Sequence, residues 1–206
     1  MKNAPRRKTG YAVKRAFDVT VAALGLIVLS PFLLGISAVI RCTSSGPVLY
    51  RQPRIGRNGK LFTILKFRSM KNEAEKSSAW TARNDPRRTT VGVWLRRYSL
   101  DELPQLINVL CGSMSLVGPR PEQPSLAETF QKTIPNYAQR YQMRPGITGW
   151  AQVNGLRGDT SIEDRVAYDL WYIDNWALHL DLHILLKTLF GGMVNRQEFP
   201  PRKERG

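Results

Sequence analysis

Of 206 residues, only two are cysteine and two are histidine. Cys42 and Cys111 stand far apart without metal-ligand spacing, so the chain has no disulfide framework, and its thiols fit a reducing compartment. His179 and His183 are four residues apart, but no glutamate follows His179, so the helical metalloprotease pattern is missing. Neither a glycine-rich P-loop nor a dinucleotide fingerprint occurs, which excludes nucleotide folds built on those loops. Acidic residues are scarce too: 16 against 31 Lys and Arg, a formal charge of +15. Such an excess draws anionic lipid headgroups, phosphorylated substrates or nucleic acid, and charge alone does not choose among them.

Charge is absent altogether from Val19 to Ile40. That is about the 20 apolar residues needed to cross a bilayer core. The flanks argue against a crossing. Arg6, Arg7, Lys8, Lys14 and Arg15 precede the run, and Arg41, Arg51, Arg54, Arg57, Lys60, Lys66 and Arg68 follow it. The positive-inside preference therefore pulls both ends to the cytoplasmic side. Ser30-Pro31 lies near the middle, where proline removes a helical hydrogen bond and the serine hydroxyl can serve the freed carbonyl. The pattern predicts a re-entrant helix-break-helix over 13–42. A kinked transmembrane helix and a buried core helix are the alternatives. A cleaved signal peptide fits less well, since the run is too long and no small-x-small site clearly follows.

Beyond it, Pro47–Arg51 and Leu61–Arg68 are rich in β-branched and aromatic residues and flank Gly56-Arg-Asn-Gly59, which predicts a β-hairpin. Residues 71–90 are polar, with a turn at Asn84-Asp85-Pro86. A helix is expected to start at Val91–Arg97. Ser99 followed by Glu102 then reads as a capping box ahead of Leu103, Leu106 and Ile107, placing Asp101 and Glu102 in a first helical turn. The helix dipole favours acids there, so capping alone would explain them. The neighbours point further. Arg96 and Arg97 lie just upstream, and Arg120 downstream is set between Pro119 and Pro121 in a stiff segment. An acidic pair amid arginines suits phosphoryl transfer, with carboxylates as nucleophile or Mg²⁺ ligands and guanidiniums on phosphate oxygens.

A third cluster, Arg144-Pro-Gly-Ile-Thr-Gly-Trp-Ala-Gln152 with Arg157 beyond, fits either a phosphate or nucleotide pocket or a glycine-rich turn between core elements. Glu163 to Leu189 carries Tyr168, Trp171, Tyr172 and Trp176 on expected amphipathic helices, where core packing and an interfacial aromatic belt compete. The expected fold class is α+β, mainly helical. It comprises a basic segment 1–12, the membrane element 13–42, a catalytic domain 43–195 with a short hairpin, and a basic tail 196–206.

Read in order, Lys14-Arg-Ala-Phe-Asp18, Ser30-Pro31, Arg51-Gln-Pro-Arg-Ile-Gly56, Lys66-Phe-Arg-Ser-Met70, Ser99-Leu-Asp-Glu-Leu-Pro-Gln105, Ser115-Leu-Val-Gly-Pro-Arg-Pro121 and Arg144–Gln152 make the chain similar to a known family. It resembles the bacterial sugar transferases, the monotopic polyprenyl-phosphate phosphoglycosyl transferases, in a minimal catalytic form. The resemblance implies transfer of a sugar 1-phosphate from a UDP-sugar to undecaprenyl phosphate with release of UMP, at the cytoplasmic face of the bacterial inner membrane. It implies Asp101 as the nucleophile, Glu102 as its partner, and Mg²⁺ held at the pair. Lys66, Arg96, Arg120, Arg144 and Gln152 become the expected phosphate and nucleotide ligands. Asp181 matches a recurrent acidic position of undefined role, and Asp18 is expected to pair with Arg15. Anionic lipids are the further expected partners, nucleic acid is not, and oligomeric state stays open. One departure stands out: Ser113 occupies the place before Met114-Ser115 where the family usually has an acid.

Overall fold

The computed structural model describes residues 4–71, 87–158 and 160–192, which are mainly helical with two small sheets. The turn expected at Asn84-Asp85-Pro86 and the tail from Arg196 lie outside the described residues.

Helix α1 (Ala4–Thr43) is 40 residues long and unbroken at Pro31, where the sequence predicts two helices. The reason is local and tertiary together. The Ser30 hydroxyl donates to the Ile27 carbonyl at 2.8 Å, the acceptor that the missing proline amide leaves without its helical donor. Both halves also dock on the same domain. Lys14, Asp18, Ala22, Ile36 and Ile40 are buried along one stripe, at the three-to-four-residue steps of a helix face. The opposite face stays bare and apolar: Ile27 is 69% exposed, Val28 73% and Leu34 70%. By length and composition α1 qualifies as a membrane span, yet only 11% of its most apolar window is buried.

Strands β1 (Leu49–Ile55) and β2 (Leu61–Phe67) pair antiparallel, Leu49 opposite Phe67 and Ile55 opposite Leu61. The expected hairpin is present and longer than predicted, because a two-stranded sheet consists of edges and tolerates Pro53. Its turn is closed by Asn58 at φ 58 and Gly59 at φ 74, a left-handed pair suited to those residues. Phe67 packs with Ile36, Ile40 and Leu95, the last from α2 (Thr90–Arg97), whose start is capped by the Thr89 hydroxyl on the Gly92 amide.

Helix α3 (Gln105–Leu110) lies against α1, and after it β3 (Ser115–Val117) pairs in parallel with β4 (Gly146–Thr148), a sheet not foreseen from sequence. Glycine makes this pairing possible. A Cβ on Gly146 would overlap the Gly118 amide nitrogen and the Thr148 carbonyl, and one on Gly118 would overlap the Arg144 carbonyl. Gly146→Ala is therefore expected to destabilise the protein by about 1–3 kcal/mol or more, since backbone rather than a mobile side chain must yield. Thermal unfolding in detergent checks this. Gly35→Ala, which meets nothing within 4 Å inside a helix, should leave the midpoint unchanged or higher.

The remaining helices are α4 (Pro124–Thr133), α5 (Trp150–Val153), α6 (Ile162–Asp174) and α7 (Leu178–Lys187). Ala22 from α1, Val109, Met114, Val117, Tyr172 and Ile184 share one core. At its edge Asp181 accepts from Lys14 Nζ at 2.6 Å, Tyr172 Oη at 2.6 Å and Trp176 Nε1 at 3.2 Å, tying α1 to α6 and α7. The expected Arg15–Asp18 pair does not form. Asp18 Oδ1 accepts from the Leu116 amide at 3.1 Å, while Arg15 turns to the carbonyls of Val109 and Leu110. Each thereby satisfies a backbone group at an element end, which burial makes worth more than a surface ion pair.

Candidate active site

Asp101 and Glu102 stand in a 3-10 turn, Leu100–Glu102, that joins α2 to α3. The capping box is not made. Ser99 has φ 55 in the left-handed region and no side-chain cap bond, whereas an N-cap residue needs extended backbone. Glu102 is also committed elsewhere. Its Oε1 accepts from Lys66 Nζ at 2.8 Å and Arg120 Nη2 at 2.6 Å, and Oε2 receives Arg120 Nη1 at 3.3 Å. The pair follows this left-handed residue, and Asp101 is only 7% exposed.

The two carboxylates are driven apart in character. Burial pushes Asp101 up from the ordinary aspartate value, with the Glu102 charge adding to the rise and Lys66, Arg96 and Arg120 opposing it. Burial also acts to raise Glu102, but Arg120 and Lys66 overcome it and hold that carboxyl well below the usual range. Lys66 is lowered by burial against the pull of Glu102. Glu102 is thus the counter-ion of Lys66 and Arg120, and Asp101 is the carboxylate those cations leave without a hydrogen bond. Asp101 makes no hydrogen bond or ion pair among the described residues.

Each cation reaches the pair from a different element. Arg96 comes from the last turn of α2, Lys66 from β2 and Arg120 from the segment after β3. The buried Asn108 side chain stitches β2 to α3, accepting from the Leu65 amide at 2.9 Å and donating to the Thr63 carbonyl at 2.7 Å. Lys66 is located by that stitch. Ser113, where the resemblance led an acid to be expected, donates its hydroxyl to the Asn108 carbonyl at 3.1 Å and so joins the same brace. Arg120 is steadied from behind: Arg140 donates to the Arg120 carbonyl at 3.0 Å and forms a buried ion pair with Asp169 at 2.7 Å.

Arg54 and Arg157 join the cluster, the charges of Arg120 and Glu102 acting on both. Arg157 belongs to the third sequence cluster, and its Nε is held by the Gln152 carbonyl at 3.1 Å. Arg54 is not among the residues expected from the motifs, although strand alternation points to it, because Tyr50, Gln52 and Arg54 share a face with their partners Lys66, Ile64 and Phe62. Arg140, Asp169 and Asn108 carried no local sequence signal; their contacts are long-range.

Other expected ligands lie apart. Arg144 donates to the Gly112 carbonyl at 2.9 Å, with Arg15 and Arg57 as its charged neighbours. Gln152 donates to the Ile147 carbonyl at 3.1 Å, bracing the turn that also presents Arg157. Asp181 and Ser30-Pro31 belong to the α1 anchorage described above.

The donor set suits a hard cation. Magnesium is commonly held by one or two carboxylates and completed by water and phosphate. Asp101 is unengaged, and Glu102 Oε2 carries a single 3.3 Å contact, so these two residues could hold it. Among the described residues no cluster of three or more His, Cys, Asp or Glu offers a fuller cage.

An acidic pair thus lies among five cations, a charge arrangement suited to anionic groups, in a chain whose first helix keeps a bare apolar face. Residues 9–195 match the model of the bacterial sugar transferase family, and the chain belongs to that family. It is 47% identical over 202 residues to a UDP-glucose:undecaprenyl-phosphate glucose-1-phosphate transferase of Escherichia coli K12, covering 96% of this chain and 44% of the relative. It is 42% identical over 180 residues to a UDP-N-acetylgalactosamine-undecaprenyl-phosphate N-acetylgalactosaminephosphotransferase of Aeromonas hydrophila, 86% of this chain and 43% of that one. The exopolysaccharide production protein PSS of Rhizobium leguminosarum bv. phaseoli is 42% identical over 196 residues, 91% of this chain and 98% of its own length. The chain therefore spans less than half of the first two relatives and nearly all of the third.

Proposed function

We propose that this protein transfers a sugar 1-phosphate from a UDP-sugar to undecaprenyl phosphate through a covalent enzyme intermediate, starting a surface glycan. The observation that carries the reading is the division of labour in the acidic pair, with Glu102 locked to Lys66 and Arg120 and Asp101 unbonded among those cations.

In the first step an Asp101 carboxylate oxygen attacks the sugar-bearing β-phosphorus. The bond from that phosphorus to the bridging oxygen breaks, and UMP leaves with the electron pair. Lys66, Arg96 and Arg120 offset the charge that builds on the phosphoryl oxygens, and Arg54 and Arg157 add to the field. In the second step an oxygen of undecaprenyl phosphate attacks the same phosphorus, which restores the Asp101 carboxylate and yields the lipid diphosphate sugar. Held at Asp101 and Glu102, Mg²⁺ would supply further neutralisation of phosphate charge.

The membrane part of the reading rests on α1. Its docked stripe runs from Lys14 to Ile40 on one domain, so a full crossing would carry that domain into the bilayer. Lying within one leaflet, the helix keeps its bare face in lipid and holds Asp101 at headgroup depth, where a polyprenyl phosphate and a water-soluble donor meet. Exposed Trp94, Ile107, Trp171, Leu186 and Phe190 are candidates for the same interface. Basic flanks at both ends agree with the cytoplasmic side.

The purified protein with undecaprenyl phosphate, Mg²⁺ and a panel of UDP-sugars is expected to release UMP. UDP-glucose is the first donor to try, given the name of the Escherichia coli relative. Without lipid acceptor, labelled UMP should exchange into the UDP-sugar, because the first step alone is reversible. UMP release without exchange would remove the covalent intermediate, and no release with any donor would remove the function.

A further inference from the structure

A second concentration of positive charge lies away from Asp101 and Glu102. Arg15, on α1, donates Nη1 to the Val109 carbonyl at 2.6 Å and Nη2 to the Leu110 carbonyl at 2.9 Å. Arg144, just before β4, donates Nε to the Gly112 carbonyl at 2.9 Å. Both guanidiniums are therefore pinned at the C-terminal end of α3, where cations are favoured. Capping explains these two. It does not explain Arg57, which projects from the hairpin turn, is exposed, and has no side-chain hydrogen bond or ion pair among the described residues.

Arg57 and Arg144 border a shallow, solvent-open depression that encloses only about 20 Å³, with Tyr11, Lys14, Asp18 and Gln142 also on its walls. Asp18 is the sole carboxylate on that lining, and one of its oxygens is spent on the Leu116 amide. Lys14 is already paired with Asp181. What remains on that lining is arginine charge in excess, with the Arg144 guanidinium fixed by backbone before any ligand arrives and Arg15, off the lining, adding charge beside it. Preorganised planar donors of this kind bind phosphate with little ordering cost. Neither Arg15, Arg57 nor Arg144 is among the charges acting chiefly on Asp101 or Glu102.

The place is as informative as the charge. Tyr11, Lys14 and Asp18 belong to the stretch of α1 just before its apolar run begins at Val19. With α1 in one leaflet, that boundary sits at the depth of headgroup phosphates.

We propose that Arg57 and Arg144, with the charge of Arg15 behind them, form a binding site for a phosphate monoester at the membrane surface, separate from the Asp101–Glu102 pair. Phosphate binding here requires nothing of the transfer chemistry; only its depth rests on the membrane reading of α1.

The test is a thermal-unfolding titration of the full chain in detergent micelles with dihexanoyl phosphatidic acid, dihexanoyl phosphatidylcholine and inorganic phosphate as separate probes. Phosphatidic acid is expected to raise the midpoint saturably, and phosphatidylcholine is not. Arg57→Glu should shift the half-saturating concentration upward by at least about tenfold, the scale of one charge-assisted contact. Arg57→Ala should shift it less, in the same direction. Lys132→Glu makes the same change in net charge on an exposed part of α4 and should leave the titration where it was. Inorganic phosphate matching phosphatidic acid, with the same Arg57 dependence, supports the site with free phosphate as its ligand; phosphatidic acid acting alone supports a lipid. An unchanged titration in Arg57→Glu, as when phosphate sits only at Lys66 and Arg120, overturns the site, and so does an equal shift in Lys132→Glu.

Discussion

Asp101→Asn is expected to abolish UMP release, by roughly 10⁴-fold or more as for other lost nucleophiles, while raising the thermal midpoint at neutral pH. The two effects have one cause. Burial, helped by Glu102, makes the folded protein prefer a neutral Asp101. A carboxyl whose folded pKa lies above its unfolded value contributes stability that is fully present below the unfolded pKa and is lost as pH rises through the folded one. At neutral pH the wild type therefore carries the cost of an ionised group in that place, and asparagine does not. The gain should fade on acidification, where both side chains are neutral. Catalysis runs the opposite way, since only the ionised carboxylate attacks.

Glu102→Gln should show the reverse stability pattern. Its folded pKa is depressed, so its contribution is present above the unfolded value and is lost as pH falls through the folded one. Removing that charge leaves Lys66 and Arg120 without their main counter-ion, at a cost of about 1–3 kcal/mol near neutrality. Thermal unfolding across pH, beside UMP release, reads both variants. Transfer persisting in Asp101→Asn, or a midpoint that falls in it, would contradict the assignment of Asp101 as the strained, reactive member of the pair.

Much of the site could be read from the chain because its parts sit in short, stiff motifs. Asp101 and Glu102 are adjacent, Arg96 is one turn before them, and Pro119 and Pro121 hold Arg120 between them, so few conformations keep these charges apart. The expected hairpin likewise brought Lys66 close to where it lies. What stayed hidden depends on side-chain direction or distant pairing. Arg144 and Gln152 belong to the right motif, but one reaches back to the end of α3 and the other folds onto its own turn, while Arg157, a few residues on, supplies the charge near Glu102. Ser99 fits a capping pattern letter by letter, yet its left-handed backbone cancels the cap, and nothing local announces that. The β3–β4 pairing joins residues about thirty apart through Gly118 and Gly146, glycines that read as turn residues until the close approach of two backbones gives them their purpose. Pro31 shows the same limit in reverse. Proline argues for a break, but Ser30 on the Ile27 carbonyl and a domain docked along both halves of α1 keep the helix whole.

Replacing Asp181 tests that docking most directly. Asp181 is 1% exposed and Lys14 6%, and the 2.6 Å pair between them is joined by Tyr172 and Trp176 as donors to the same carboxylate. Asp181→Ala would leave the buried ammonium and the Tyr172 phenol sharing the Val117 carbonyl, at 3.0 and 3.4 Å, and would strand an indole N–H. Breaking a buried pair on one side typically costs about 3–5 kcal/mol. For a chain of this size each kcal/mol lowers the midpoint by about 2–4 °C, so a fall of roughly 10 °C is expected in detergent-solubilised protein. Lys14→Met combined with Asp181→Leu removes both charges and should recover most of that loss, since an apolar pair avoids the desolvation that the ions incur. Activity separates the two roles of the contact. Lys14 also holds Val117, the end of β3 from which the Arg120 segment departs, so Asp181→Ala should depress UMP release at temperatures where the protein is still folded. A rescued double variant with normal stability and normal turnover would make the pair an anchor alone. Normal stability with low turnover would show that the ions set the position of β3, and a single Asp181→Ala variant within 2 °C of the wild type would mean that α1 is held on the domain by its apolar stripe without them.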